Sequence, residues 1–307
     1  MKAMSYEEKY KMMTQTPVSR LISRLAVPTI ISMLITSIYN MADTFFVSQL
    51  STSASGAVGV NFSLMAMIQA IGFTLGMGSG NYISRMLGAR EQEKAQRACS
   101  TAVYTALTFG LALAVLGILN IDSLVRVLGA TETIAPYAKD YGKYILIAAP
   151  YMTVSFVFNN HLRSQGNAAL SMIGITTGGV LNVILDPILI FGFHMGISGA
   201  AIATIFSQFV SFVILLVLVI RSGNVLKPLP KYFTLQGWVY GEILSAGLPT
   251  LGRQGLASVA SVLLNVAASG FGDAAVAAMS IVTRIMMFTS SALIGFGQGF
   301  QPVCGFN

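Results

Sequence analysis

The chain has 307 residues, 54% hydrophobic and 9% charged, with a mean hydropathy of +0.73. So apolar a composition excludes a water-soluble domain and marks an integral membrane protein. The net charge of +7 is read as a topological bias, because the lysines and arginines gather at the ends of apolar segments, and no nucleic acid partner is expected.

Apolar runs fall near residues 25–49, 55–83, 98–119, 141–160, 168–193, 197–220, 243–270 and 274–300. Each reaches the roughly twenty residues a helix needs to cross a bilayer. The runs are continuous, not alternating, so membrane helices are expected and a barrel is not. The fold class is therefore an all-α integral membrane protein. Its expected divisions are a six-helix lobe over residues 1–220, a cytoplasmic linker over 221–241, and the first two helices of a second lobe over 242–307.

Lys2, Lys9, Lys11, Arg20 and Arg24 precede the first span, and alternate loops continue the pattern with Arg85, Arg90, Lys94, Arg97, Arg163, Arg221, Lys227 and Lys231. The other side carries only Arg126, Lys139 and Lys143. The positive-inside rule then places the N-terminus in the cytoplasm of a multi-pass protein of the cell membrane. No cleavable signal peptide is expected, since the charged N-terminus runs into a full-length span. Cys99 and Cys304 form no motif and are expected as free thiols.

Span one carries Tyr39 and Asp43, and span five carries Asn182 and Asp186. These aspartates are the only acidic residues inside long apolar runs, and a carboxylate in hydrocarbon costs roughly 3 kcal/mol on the lenient insertion scale, so the pair marks a functional site. Counting about 1.5 Å per residue puts both aspartates roughly 10 Å below the outer surface, with Thr204 of span six at the same depth. Asn182 and Tyr39 stand one turn before their aspartates on the same faces. A polar layer of Asp43, Asp186, Asn182, Thr204 and Tyr39 follows if spans one, five and six pack together. Pro187 is expected to free the carbonyl of Val183, and Pro28 that of Arg24, each giving its helix a place to bend. Oxygen atoms of this kind beside carboxylates suit a hard cation such as sodium.

The chain repeats itself without gaps at an offset of 221 residues. Pro28 and Thr29 meet Pro249 and Thr250, Ser37 meets Ser258, Ser48 meets Ser269, Ala57 meets Ala278, and Gly76 and Gly78 meet Gly297 and Gly299. Six spans per repeat keep both copies in one orientation, related by an axis along the membrane normal. Asp43 meets Leu264, so the carboxylate belongs to the first copy alone. GMGSG (76–80) and GFGQG (295–299) lack the lysine of a phosphate loop and are read as close helix packing. Among the sixteen methionines, Met33, Met41, Met65, Met67 and Met152 are weighed as lining for an adaptable pocket against ordinary packing or lipid-facing roles. Arg253 and Arg284 lie inside spans seven and eight, where a role in a cavity is weighed against snorkelling toward the cytoplasm and against pairing with a partner in the remaining helices of the second lobe. His161 and His194 are read as isolated loop or span-end residues without metal spacing. Residues 270–273 spell the GxGD string of intramembrane aspartyl proteases, but Asp273 falls at a span end and neither Asp43 nor Asp186 follows a tyrosine, so that enzyme class is set aside.

LAVPTIISMLITSIYNMADTFFVSQL, SRMLGAREQEKA, LRSQGNA, NVILDPILIFG and GISGAAIAT, in this order and spacing, resemble the multidrug and toxic compound extrusion (MATE) transporters over essentially the whole chain. The resemblance implies twelve helices in two six-helix lobes, of which this chain would be the first lobe and two helices of the next. It places a cation site on Asp43, Asn182, Asp186 and Thr204, with the carbonyl of Ala200 and the side chain of Asn159 as further candidates. The implied activity is antiport, with sodium ions or protons entering as cationic or amphipathic compounds leave. No cofactor beyond the coupling ion is implied. The alternative within the same superfamily is a flippase for lipid-linked oligosaccharide, whose cavity is expected to be lined with cationic groups.

Overall fold

A computed structural model of the chain describes residues 5–221, 226–269 and 273–307. Lys2 and residues 270–272 of the GxGD string lie outside the described residues, as do the side chains of Ser258, Ser269, Ala278 and Arg284. The described residues fold as α1 (Tyr6–Gln15), α2 (Val18–Ser48), α3 (Thr52–Gly88), α4 (Gln92–Leu119), α5 (Ile121–Val127), α6 (Ala135–Ser164), α7 (Ala168–Pro187), α8 (Gly196–Arg221), α9 (Gly237–Ser269) and α10 (Asp273–Phe306), without strands. The eight apolar runs fall in α2, α3, α4, α6, α7, α8, α9 and α10. Two shorter helices, α1 and α5, of 10 and 7 residues, join them; neither is long enough to cross a membrane.

Five of the described helices are long and apolar enough to cross a membrane: α2, residues 56–88 of α3, α4, α7 with the turn that follows it, and α8. α6 is 30 residues long, but Lys139, Asp140 and Lys143 near its start and His161 and Arg163 near its end dilute its hydropathy. The remaining two sequence-read spans are α9 and α10, of 33 and 34 residues.

Local signals set the helix ends. Ser5 and Glu8 form a capping box that starts α1, and the Ser51 hydroxyl accepts the Ala54 N–H at the start of α3 at 3.0 Å. α6 stops where Gly166 adopts φ +77°. The Asn167 N–H then reaches the Leu162 carbonyl and the Gly166 N–H that of Arg163, a Schellman ending.

The two prolines behave differently from each other. α2 runs through Pro28 as one helix, and the Thr29 hydroxyl, which lies near the carbonyls of Leu25 and Ala26, donates most closely to the Gly295 carbonyl of α10 at 2.6 Å. At Pro187, which has no N–H to offer Val183, the α-helix ends and the chain continues as a wider π turn over Ile188–Gly192. The Phe193 N–H closes that turn on the Ile188 carbonyl, five residues back, at 2.9 Å.

One core lies at the end of the bundle that carries α1 and holds Met13, Tyr82, Leu87, Phe158, Leu162 and Phe306. A second lies towards the opposite end and holds Leu64, Ile68, Tyr141, Ile145, Leu146 and Ala200. α9 and α10 pack on the first two long helices through the glycines of the repeated strings. A Cβ at Gly78 would strike the Ile243 carbonyl, and one at Gly247 the Thr74 carbonyl. Likewise Gly295 abuts the backbone of Ile30, and Gly299 that of Ala26. Small residues at these contacts let helix backbones touch. Under the 221-residue offset α2 becomes α9 and α3 becomes α10, so the α3–α9 and α2–α10 contacts are two images of one interface. Both lie in the half nearest α1, where Arg163 also donates to Gln298 on α10 and to Asn160, each at 2.6 Å.

His161 is not an isolated span-end residue. It is buried within α6, with Nε2 2.7 Å from Ser79 Oγ and Nδ1 3.4 Å from Cys99 Sγ. His194 is an exposed loop residue with φ +54°. Cys99 is buried, Cys304 exposed, and both are free thiols.

Candidate functional site

Four helices bring polar residues together in the half of the bundle away from α1. α7 supplies Asn182 and Asp186 one turn apart, both buried, with Asp186 fully enclosed. The Asn182 amide donates to Asp186 Oδ1 at 3.2 Å and, more loosely, to Thr204 Oγ1 of α8 at 3.4 Å. α2 contributes Tyr39 and Asp43. The Tyr39 ring is admitted by Gly179, where a Cβ would sit 3.2 Å from the ring, and its hydroxyl neighbours Asp43 and Gln208.

The site has buried oxygens with no hydrogen-bond partner among the described residues: Asp43 Oδ1, Asp186 Oδ2, Asn182 Oδ1 and the Tyr141 hydroxyl. Buried polar atoms are nearly always paired, so several orphans in one place call for a missing partner. All of them are oxygens, two from carboxylates. The set fits a small hard cation, and either carboxylate fits a proton equally well.

Tyr141, on α6, was not among the residues expected from the sequence. It is fully buried, beside Thr204 and facing both aspartates. The apolar run suggested a helix starting at 141, which put the tyrosine at the membrane surface. α6 starts at Ala135, so Tyr141 lies about 9 Å inside, level with Thr204.

A cavity of about 150 Å³ opens on this group and is lined by Tyr39, Asn40, Asp43, Val58, Phe62, Asn182, Thr204 and Met287, among others. Asp186 lies behind Asn182. Phe62, Met65, Tyr39 and Met287 also line a larger cleft of about 640 Å³ between α9–α10 and the other helices, so the two spaces adjoin. Met33, Met65, Met77 and Met152 line the cleft with Phe73 and Phe156. Met41 lines the smaller cavity, whereas Met67 is 44% exposed and lines neither. Asn159 belongs to the cleft wall, with its amide on the Ser171 carbonyl at 3.1 Å, and not to the carboxylate group. Ala200 is buried one turn before Thr204 within α8.

The family model MatE matches residues 28–188 and again 249–307; the two matches start 221 residues apart, the offset of the internal repeat. Among curated proteins the chain is 29% identical over 283 residues to the multidrug export protein MepA of Staphylococcus saprophyticus, covering 92% of this chain and 63% of that protein. It is 28% identical to MepA of Staphylococcus haemolyticus, covering 95% of this chain and 65% of the relative. The chain thus spans somewhat under two thirds of the length of these relatives. Among solved structures, an outward-facing multidrug resistance MATE transporter of the MOP superfamily superposes with a TM-score of 0.92 at 28% identity, over 97% of this chain and 66% of the other. A MOP superfamily transporter from Pyrococcus furiosus, described as having a binding pocket of reverse polarity, superposes with a TM-score of 0.89 at 28% identity, over the same shares.

Proposed function

Because the chain belongs to the MATE family, a family of transporters and not of enzymes, we propose that it works as a cation-coupled exporter of cationic or amphipathic compounds. The observation that carries this reading is the group of unpartnered buried oxygens of Asp43, Asp186, Asn182 and Tyr141 adjoining the cleft. Coupling by competition follows from that chemistry. Ionised, the two carboxylates attract a cationic compound into the cleft. Occupied by sodium or protons, they lose that attraction, and the compound leaves. Antiport further requires the two occupancies to favour different conformations. The close backbone contacts that α9 and α10 make with α3 and α2 in the half nearest α1 supply a place for such a change.

The same reading puts the protein in the cell membrane with α1 in the cytoplasm, supported by the basic residues at that end of the bundle, and treats residues 1–220 and 242–307 as parts of two repeat lobes. A flippase for lipid-linked oligosaccharide is less well supported, since a pyrophosphate group requires several cations and Arg253 is the sole cationic residue among the described cleft lining. Ethidium efflux from drug-pump-deficient cells, with the sodium and proton gradients collapsed separately, tests the proposal. Efflux that follows one gradient supports it and identifies the ion; absence of efflux under every gradient contradicts it.

A further inference from the structure

α1 lies across a seam where the two repeats meet at one end of the bundle. There the last turns of α3 and α10 touch: a Cβ at Gly88 would strike the Phe306 backbone, and one at Gly305 the side chain of Ser84. α1 holds the first repeat by several contacts. The Tyr6 hydroxyl donates to the Leu87 carbonyl at 2.7 Å, Glu7 pairs with Arg90 at 3.6 Å, and the Arg90 guanidinium covers the Tyr10 ring at 4.5 Å. Met12 and Met13 press on Gly166 in the turn after α6, where a Cβ would sit 3.0 Å from Met13 Sδ. The hold on the second repeat is slighter. The Asn307 amide donates to the Met13 carbonyl at 3.1 Å, and the buried Met13 side chain shares a core with Val303 and Phe306.

We propose that α1 is a latch on this seam, one that stays with the first repeat and releases α10 when that end of the bundle opens. This deepens the exporter reading and rests on it, since an exporter must open to the side from which it takes its compound. α10 is the image of α3 under the 221-residue offset, so parting the repeats at this end draws Phe306 from Gly88 and Gly305 from Ser84. α1 touches both sides and must give up one of them. The Tyr6 hydrogen bond, the ion pair and the ring contact lie on the α3 side, so the α10 side is the one that gives way. Contacts made only while the seam is closed favour the closed state, and α1 thereby sets how often this end opens.

The test needs neither compound nor ion. Ser84 is fully buried, one turn before the end of α3, so Ser84→Cys reports opening of the seam to a water-soluble maleimide. The substitution is made together with Cys304→Ser, which removes the exposed thiol and keeps the buried Cys99 as a control for the fold, and the purified chain is labelled in nanodiscs. Deleting residues 1–16 is expected to speed labelling at position 84 about tenfold, and Asn307→Ala or Met13→Ala about two- to fivefold, with Cys99 unchanged throughout. In Asn307→Ala, hydrogen exchange of residues 6–15 is expected to stay within about threefold of the unsubstituted protein, because the first-repeat contacts remain. Labelling at position 84 that ignores all three changes, or that rises together with labelling of Cys99, would overturn the latch. Loss of exchange protection over residues 6–15 in Asn307→Ala would overturn its assignment to the first repeat. Ethidium efflux plays no part in these readouts, so the exporter reading and the latch fail separately.

Discussion

Asn182 stands between Asp186 and Thr204, with its amide nitrogen 3.2 Å from one and 3.4 Å from the other, while its own carbonyl oxygen has no partner. The side chain is held so that its oxygen is available to a cation. Asn182→Leu removes both the clamp and the oxygen. Sodium or proton dependence of compound binding is expected to weaken at least tenfold, with binding in the absence of the ion changed less than threefold. A titration of compound affinity against sodium and against pH measures both quantities.

Tyr141→Phe deletes one buried hydroxyl that stands beside Thr204. Stability is expected to stay within about 1 kcal/mol, the usual net worth of a single neutral hydrogen bond. If the hydroxyl completes the cation site, the ion concentration needed for half-maximal displacement of a bound dye rises several-fold. An unchanged titration would reduce Tyr141 to a packing residue.

The glycines of the repeated strings are unequal, and substitution separates them. At Gly78 a side chain meets the Ile243 backbone, and at Gly299 that of Ala26, whereas at Gly297 nothing lies within 4 Å. Gly78→Val and Gly299→Val are each expected to cost at least about 1–3 kcal/mol through overpacking. Gly297→Ala is expected to be nearly neutral. Thermal unfolding in detergent ranks the three.

Lys9, on α1, is 4% exposed, and its Nζ has no partner among the described residues. Burial pushes its pKa down to about 8 from the ordinary lysine value of 10.5. Between these values the undocked helix binds more protons than the docked one, so docking strengthens as pH rises from about 8 to about 10.5 and is flat below pH 8. Lys9→Met removes that dependence and strengthens docking at neutral pH. Hydrogen exchange of residues 6–15 across this range reads the effect directly. The contacts that hold the helix, Tyr6 hydroxyl to Leu87 carbonyl at 2.7 Å and Asn307 amide to Met13 carbonyl at 3.1 Å, do not titrate below the tyrosine range.

Much of this organisation was legible in the chain because membrane insertion writes it in plain terms. A carboxylate in an apolar run has few explanations, and depth counting along helices of known rise was enough to align Asp43, Asp186, Asn182 and Thr204. Tyr141 was missed because charged residues at 139, 140 and 143 disguise the first turns of α6 as loop. His161 was misread for a related reason: near the end of a span, sequence does not reveal whether a neighbouring helix, here α3 with Ser79, covers the side chain. Asn159 was grouped with the carboxylates through family resemblance, whereas in the fold its amide turns to the Ser171 carbonyl. Pro187 signalled a disturbed helix but not its form, since a π turn depends on how the following segment packs.

Competition between coupling ion and compound for the same two carboxylates is the central claim. It is tested most directly by binding the cationic methyl ester of tetramethylrhodamine to the purified chain in nanodiscs and titrating with sodium, and separately with acid. Release of the dye by one of the two ions, abolished in the Asp43→Asn, Asp186→Asn double variant, is the expected result. Dye binding that ignores both ions, or release that survives in the double variant, would contradict it.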